Sequence, residues 1–302
     1  MITLNEYLRR RFGQKVYKIS IDGGFTCPTR DGTLDTRGCI FCSIRGSGDF
    51  SEDRSLTVTE QIEKGKRRVE AKMPKTCADA SEEVGTNRYI AYFQAFTNTY
   101  APVSRLRDLY SEAINHPDIV AISIGTRPDC LPKDVLELLG ELNQVKPVWV
   151  ELGLQTIHER SAEYIRRGYP LSVYDTAVAE LKTRDIEVIT HVILGLPGES
   201  REEMLESVKY VGDSGADGIK LQLLHVLQGT DLARDYTEGK FSCMTMEEYV
   251  DLIYDAISLL PEDMVVHRMT GDGDKKILIA PMWSADKKRV LNALNKKVGI
   301  SN

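Results

Sequence analysis

No stretch of this chain is apolar for long enough to cross a bilayer, and the opening MITLNEYLRRRFG has too short an apolar run for a signal peptide. A soluble, cytoplasmic protein with no membrane contact is therefore expected. Six cysteines in 302 residues, half of them clustered, do not form the disulfide framework of a secreted domain. Nor is there an excess of positive charge. The net charge of −6 argues against a protein that coats nucleic acid indiscriminately. Neither an internal repeat nor a low-complexity linker interrupts the chain, and 42% hydrophobic content can bury one large core, so no second domain is needed.

What the chain does concentrate is thiol. Cys27, Cys39 and Cys42 lie in TCPTRDGTLDTRGCIFCS, directly after an alternating segment, Val16 to Ile21, that reads as a strand. Eleven residues separate the first two thiols and two separate the last pair. Three thiolates can hold three irons of a [4Fe-4S] cluster and leave the fourth iron open, because such clusters are normally carried by four cysteines. A structural zinc would want a closed set of four ligands, whereas here there is a single CxxC and no HxxxH. A thioredoxin-like pair would use Cys39 and Cys42 and leave Cys27 without a role. Gly38, Ser43, Gly46 and Gly48 suit a loop that wraps closely around an inorganic body, with the aromatic face of Phe41 beside it. Cys77, Cys130 and Cys243 are scattered and read as buried small residues.

Short apolar runs alternate with amphipathic ones. Strands are predicted at Val16 to Ile21, Arg88 to Gln94, Ile119 to Gly125, Val148 to Gln155, Glu187 to Leu194 and Gly218 to Leu224. Helices are predicted at about Thr59 to Met73, Val103 to Asn115, Lys133 to Asn143, Ser161 to Arg166, Val173 to Arg184 and Glu202 to Ser214. Such alternation with fully apolar strands defines an α/β fold, a partial (β/α)6 TIM-like barrel with a C-terminal extension. The expected organisation is a helical lead-in over residues 1–15, the barrel over 16–231, and a tail over 232–302 that closes the open side. In the tail, a helix from Met246 to Leu260, a strand near Met264 to Met269, an apolar run from Ile277 to Ala280 and a last basic helix are expected. Pro74 to Thr86 has little to bury and is expected to be weakly ordered.

In parallel barrels the chemistry gathers at the carboxyl ends of the strands, where the cysteine loop lies. Other strand ends carry Thr97, Asn98 and Thr99, and Gln155 with Glu151 on the same face. Gln155 offers both donor and acceptor to a ribose hydroxyl or an amino-acid group. Three basic groups, Arg9, Arg10, Arg11, Lys15 and Lys18, then Lys64, Lys66, Arg67, Arg68 and Lys72, then Lys287, Lys288, Arg289, Lys296 and Lys297, would contact phosphates or form solvated helix faces.

The thiol trio, the aromatic before the last cysteine, VELGLQT followed by RRGY, and HVILGLPGE together resemble the radical S-adenosylmethionine superfamily. The expanded cysteine spacing resembles the branch related to the elongator catalytic subunit and the oxygen-independent coproporphyrinogen oxidases. The resemblance covers roughly Val16 to Asp231. It implies a [4Fe-4S] cluster on Cys27, Cys39 and Cys42, and S-adenosylmethionine chelated to the open iron and cleaved reductively to a 5′-deoxyadenosyl radical. It also implies Gln155 on the ribose or methionine side and Arg167 on the methionine carboxylate. Thr97 and Asn98 fall where the family has a glycine-rich turn for the methionine amino group. Gly125 falls where relatives often place a glutamate and His191 where some place an aspartate, so Glu151 is the candidate for the missing carboxylate. The family further implies a flavodoxin or ferredoxin as reductant. Small stand-alone members resembling this chain imply a tRNA substrate, the C5 substituent of a wobble uridine. A porphyrinogen-type small molecule and a zinc-stabilised RNA-binding module without catalysis are the alternatives.

Overall fold

β-branched and aromatic side chains dominate the predicted strand at Arg88, and β3 (Arg88–Phe93) buries every residue but its first. The computed structural model describes residues 1–46, 48, 51–71, 88–271 and 273–299. With β1 (Ile2–Thr3), β2 (Val16–Ile21), β4 (Ile119–Thr126), β5 (Val148–Gln155), β6 (Glu187–Leu194), β7 (Gly218–Leu223) and β9 (Val265–Arg268), β3 forms one sheet. Its order is β1-β9-β7-β6-β5-β4-β3-β2 and every neighbouring pair is parallel. β8 (Val226–Leu227) and β10 (Leu278–Ala280) pair antiparallel in a small second sheet.

The connections are helical, as right-handed crossovers between parallel strands require. They comprise α2 (Val58–Glu70), α3 (Val103–Asn115), α4 (Lys133–Asn143), α5 (Glu159–Tyr164), α6 (Leu171–Lys182) and α7 (Arg201–Asp213). The tail adds α8 (Asp231–Thr237), α9 (Met246–Ser258) and α10 (Lys287–Val298). Capping boxes fix three of the starts, with Thr57 and Glu60, Ser200 and Glu203, and Thr245 and Glu248 each satisfying the other's exposed backbone N–H. The α5 stretch ends before the predicted Arg166 because Arg166 itself turns left-handed, at φ 59°.

The partial barrel is thus present with its six predicted strands, joined in the same sheet by the predicted tail strand, β9, and by β1, which was not predicted. β9 adds beside β7, and β1 pairs outside β9, Ile2 opposite Val265. α1 (Leu4–Phe12) touches β2 at one edge of the sheet and β9 near the other, so it lies across the amino ends of the strands. Beneath it Leu8, Val16, Ile90, Ala121, Trp149 and Ile189 form a separate apolar cluster. The main core lies between the sheet and its helices. Pro74 to Thr86 lies outside the described residues, as does Lys72.

The basic groups are largely spoken for. Lys18 points into the barrel, where its Nζ donates to Glu151 at 2.8 Å, so it belongs to no surface patch. Arg10 pairs with Glu6, Arg11 with Glu187, Lys64 and Arg68 with Glu52, Lys66 with Glu63 and Asp118, and Lys297 with Asp251. Among the described residues, no helix is long and apolar enough to cross a membrane.

Candidate active site

The chain leaves β2 through Gly23 and Gly24, whose carbonyls accept from Arg105, and reaches Cys27 at the carboxyl end of the sheet. The loop then folds back on itself. Gly38 sits at φ 75°, and a Cβ there would lie 2.8 Å from Arg30 Nε, so glycine is required twice over. Arg30 in turn donates to the carbonyls of Cys42 and Ser43, at 3.1 and 2.7 Å, which fixes the path around the CxxC. Two distant segments clasp this loop. Ile40 N–H donates to Ile165 C=O at 3.3 Å, and Leu232 N–H at the start of α8 donates to Ile40 C=O at 3.1 Å. Arg166 bonds Gly38 C=O and pairs with Asp231, joining the same three segments through side chains.

The three thiols line one cavity of about 130 Å³ with Thr97, Gln155, Arg167, His191 and Glu151. Thr97 Oγ1 lies 2.9 Å from Cys27 Sγ. Burial raises the Cys27 thiol pKa, and a charge on Cys42 would raise it further. Burial and Cys42 push Cys39 up to about 12. A cationic body held between the sulfurs would offset that cost for Cys27 and Cys39. Among the described residues, the one set of three ligand atoms within 4.8 Å of one another is Glu63, His116 and Asp118, where Lys66 already supplies the cation. The three sulfurs do not form so close a set.

Gln155 supplies a second sign of fit. β5 ends on it through a register shift, at φ 71°, a left-handed conformation uncommon for a non-glycine residue. Its Oε1 is buried with no hydrogen-bond partner. Gly153 makes the pose possible, because a Cβ there would lie 2.9 Å from Gln155 Nε2. An unpaired amide aimed into the thiol cavity is what a polar ligand would satisfy.

Arg167 also lines the cavity, 2% exposed. It donates from Nε to Tyr169 C=O at 3.0 Å and from Nη1 to Thr156 C=O at 2.6 Å. These bonds hold the guanidinium while leaving part of its fork of five donors for a ligand. Arg127, which the sequence placed at the mouth of the site without a role, stands beside it. Asp129 grips it at two points, 2.9 and 2.7 Å, its Nη2 bonds Arg167 C=O, and its charge opposes the rise of the Cys27 and Cys39 pKa values. The sequence signal for it was its place in the turn after β4.

Two expectations need correction. Asn98 does not line the cavity; fully buried, it donates from Nδ2 to Gly125 C=O at 2.7 Å and fastens the exits of β3 and β4 together. Glu151 lines the cavity but has no lone pair to spare. Lys18 and Ser123 donate to Oε1 at 2.8 and 2.7 Å, and His191 Nε2 at 2.8 Å and Lys220 donate to Oε2, which fills all four acceptor sites of a carboxylate. Burial would raise the Glu151 pKa, yet the two lysines and His191 outweigh it and hold the group ionised. The carboxylate is the counter-ion of buried lysines. Burial takes Lys220 down to about 7, with Lys18 and Arg268 adding to the fall and Glu151 opposing it. His191, lowered to about 4 by burial and Lys220, is neutral at physiological pH. Donation of its Nε2 proton to Glu151 leaves Nδ1 as an acceptor.

The family model described as the radical SAM superfamily matches residues 36–211, and the radical SAM C-terminal domain matches 216–299. The chain is 46% identical over 296 residues to YtqA of Bacillus subtilis (strain 168), covering 98% of this chain and 88% of that protein. It is 28% identical over 164 residues to a tRNA uridine(34) acetyltransferase of Methanocaldococcus jannaschii, covering 53% of this chain and 30% of that one. The fold is similar to that of archaeal Methanocaldococcus infernus Elp3 with an N-terminal deletion, with a TM-score of 0.66 at 19% identity, covering 95% of this chain and 64% of that chain.

A parallel partial barrel with a three-thiol loop at its carboxyl end defines a cluster-dependent radical enzyme. The chain belongs to the radical SAM superfamily, whose cofactors are a [4Fe-4S] cluster and S-adenosylmethionine.

Proposed function

We propose that Cys27, Cys39 and Cys42 hold the cluster, that Gln155, Arg167, Thr97 and His191 bind S-adenosylmethionine, and that the substrate is the C5 substituent of a tRNA wobble uridine. The observation that carries the cofactor assignment is the convergence of the three thiols and the unpaired Gln155 amide oxygen on one cavity. When bound, the cofactor pair supplies a 5′-deoxyadenosyl radical for hydrogen abstraction, with the electron coming from a flavodoxin or ferredoxin in the cytoplasm. The chain's own residues then have separable tasks. Arg167 orients the methionine carboxylate, as a planar fork suits a carboxylate. Gln155 accepts from or donates to the nucleoside, and the unprotonated Nδ1 of His191 accepts from it. Thr97 donates to Cys27 and lowers the cost of holding it as thiolate. Phe41 and the clasped loop keep water from the radical.

The tRNA assignment rests on the half-length similarity to the tRNA uridine(34) acetyltransferases. A small molecule of the porphyrinogen kind is the second reading, favoured by the carboxylate partners that Arg10, Arg11, Lys64, Arg68 and Lys297 already have. Anaerobic reconstitution with iron and sulfide, then dithionite and S-adenosylmethionine, should give 5′-deoxyadenosine in the wild type and none in Cys39→Ala. No product from a well-loaded wild type would sink the cofactor assignment. Nucleoside mass spectrometry of tRNA from a deletion strain should show an altered wobble uridine; an unchanged profile would leave the small-molecule reading.

A further inference from the structure

Arg30 lies inside the fold of the cysteine loop. Its Nη2 donates to the carbonyls of Cys42 and Ser43, at 3.1 and 2.7 Å, and it packs on the backbone of Gly38, where a Cβ would come within 2.8 Å of Nε and 3.1 Å of Cζ. The guanidinium therefore touches Cys42 itself and the neighbour of Cys39. It also lies over the ring of Phe96, 5.6 Å from the centroid. Phe96 presents that ring in spite of its backbone, since a φ of 63° is left-handed and an outlier for so bulky a residue. Gly46 yields to the same ring, because a Cβ there would stand 2.9 Å from Phe96 Cδ1. The segment held in this way is a partition: Cys42 and Gly46 line both the thiol cavity and a second cavity of about 250 Å³ beside it.

What sets Arg30 apart is its charge. Arg127, the other guanidinium at the thiols, is gripped by Asp129 at two points. Among the described residues, no carboxylate comes within ion-pair distance of Arg30, whose acceptors are two uncharged carbonyls. Burial raises the Cys27 and Cys39 pKa values, and the charge of Arg30 is one of those that oppose the rise, so its field reaches the sulfurs. Uptake of one electron would add negative charge to a cluster that three thiolates already make anionic, with no proton taken up and no bond made or broken. A cation without a counter-ion, fixed in a half-buried loop, stabilises the more negative state.

We propose that Arg30 raises the reduction potential of the cluster through its charge, and that the strained Phe96 is the residue that positions it to do so. The inference rests on the thiol assignment proposed above and takes the electron from a donor of the flavodoxin or ferredoxin kind. It assigns Arg30 to electron entry and leaves the binding of S-adenosylmethionine and of substrate to other residues.

The test uses the full-length protein reconstituted with iron and sulfide, titrated with dithionite in the presence of mediators and followed by electron paramagnetic resonance, without S-adenosylmethionine. A unit charge acting over about 10 Å at an effective dielectric of about 20 is worth roughly tenfold in an equilibrium. Arg30→Gln should therefore lower the reduced-to-oxidised ratio at a fixed potential by about tenfold, a midpoint about 59 mV more negative for one electron. Arg30→Lys, which keeps the charge, should shift it less than half as far, and Phe96→Leu, which keeps Arg30 but loosens its seat, should fall between wild type and Arg30→Gln. A wild-type midpoint in Arg30→Gln overturns the proposal. So do equal shifts in Arg30→Gln and Arg30→Lys, which would mean that the bonds to the carbonyls and not the charge set the potential. An Arg30→Gln protein that folds by circular dichroism but takes up no iron overturns it too, by placing Arg30 in cluster assembly. Should Arg30→Gln fail to fold, Phe96→Leu decides: a midpoint below wild type supports the proposal and an unchanged one overturns it. A wild type with no reducible cluster, or a Cys39→Ala protein with the same cluster, brings down the thiol assignment and this inference with it; a reducible wild-type cluster whose midpoint ignores Arg30 brings down this inference alone.

Discussion

At Gln155 a side chain and a backbone conformation are coupled, and substitution separates them. Gln155→Gly should leave stability within about 1 kcal/mol of wild type, because relief of the left-handed strain offsets the added chain entropy. Gln155→Ala keeps the strain. Both remove the amide, so both should weaken S-adenosylmethionine binding by about tenfold, the cost of one buried hydrogen bond. Equilibrium dialysis and urea unfolding on the same samples decide the point; affinity that tracks stability and not the amide would remove Gln155 from the site. His191 gives a prediction in pH. Its folded pKa, about 4, lies below the ordinary 6.5, so between these values the unfolded chain binds the extra proton. The stability this group contributes is complete above pH 6.5 and is lost as pH falls towards about 4. Urea midpoints of wild type and His191→Gln over that window should therefore converge on acidification; parallel curves would mean the imidazole is already charged.

Among the elements, α1 has the least obvious task, since a short amphipathic helix before the first long strand reads as a lead-in. It lies across the barrel floor, with Leu8 4% exposed against Trp149 and Ile189. Leu8→Ala should cost about 2–4 kcal/mol, as for other buried leucines, and should shift Trp149 emission to the red as water reaches the floor. An unchanged spectrum with full stability would make α1 an appendage. The long βα units were legible because their strands are apolar on both faces, and β2, β5 and β6 begin and end where the pattern predicts. β1 has two residues, too few for any periodicity to register. α8 has seven and is held as much by its bond to the cysteine loop as by its own face. The thiols and Gln155 were legible from spacing and position. The Lys18–Glu151–Lys220 cluster was not, because the single lysine in each of β2 and β7 looks like an exposed position until the sheet curls it inward.

For the whole molecule, charge distribution separates the two substrate readings. α10 packs on α9, outside the helical layer that covers the sheet, and carries Lys287, Lys288 and Arg289 away from the cavities. Replacing these three with alanine should leave the salt dependence of tRNA binding nearly unchanged, since every phosphate that a basic side chain ceased to neutralise would lower the log–log slope by roughly 0.9 in a duplex. A slope reduced by two or more would bring α10 into the RNA-binding face. The clasp on the cysteine loop has a consequence in time. Ile40 is bonded to Ile165 and to Leu232, and Arg166 to Gly38 and Asp231, so the loop's shape depends on residues synthesised long after Cys42. A nascent chain leaves the ribosome amino end first. The cysteine loop is therefore assembled late, and on the proposed assignment of its thiols, loading with iron and sulfide would follow translation of most of the barrel.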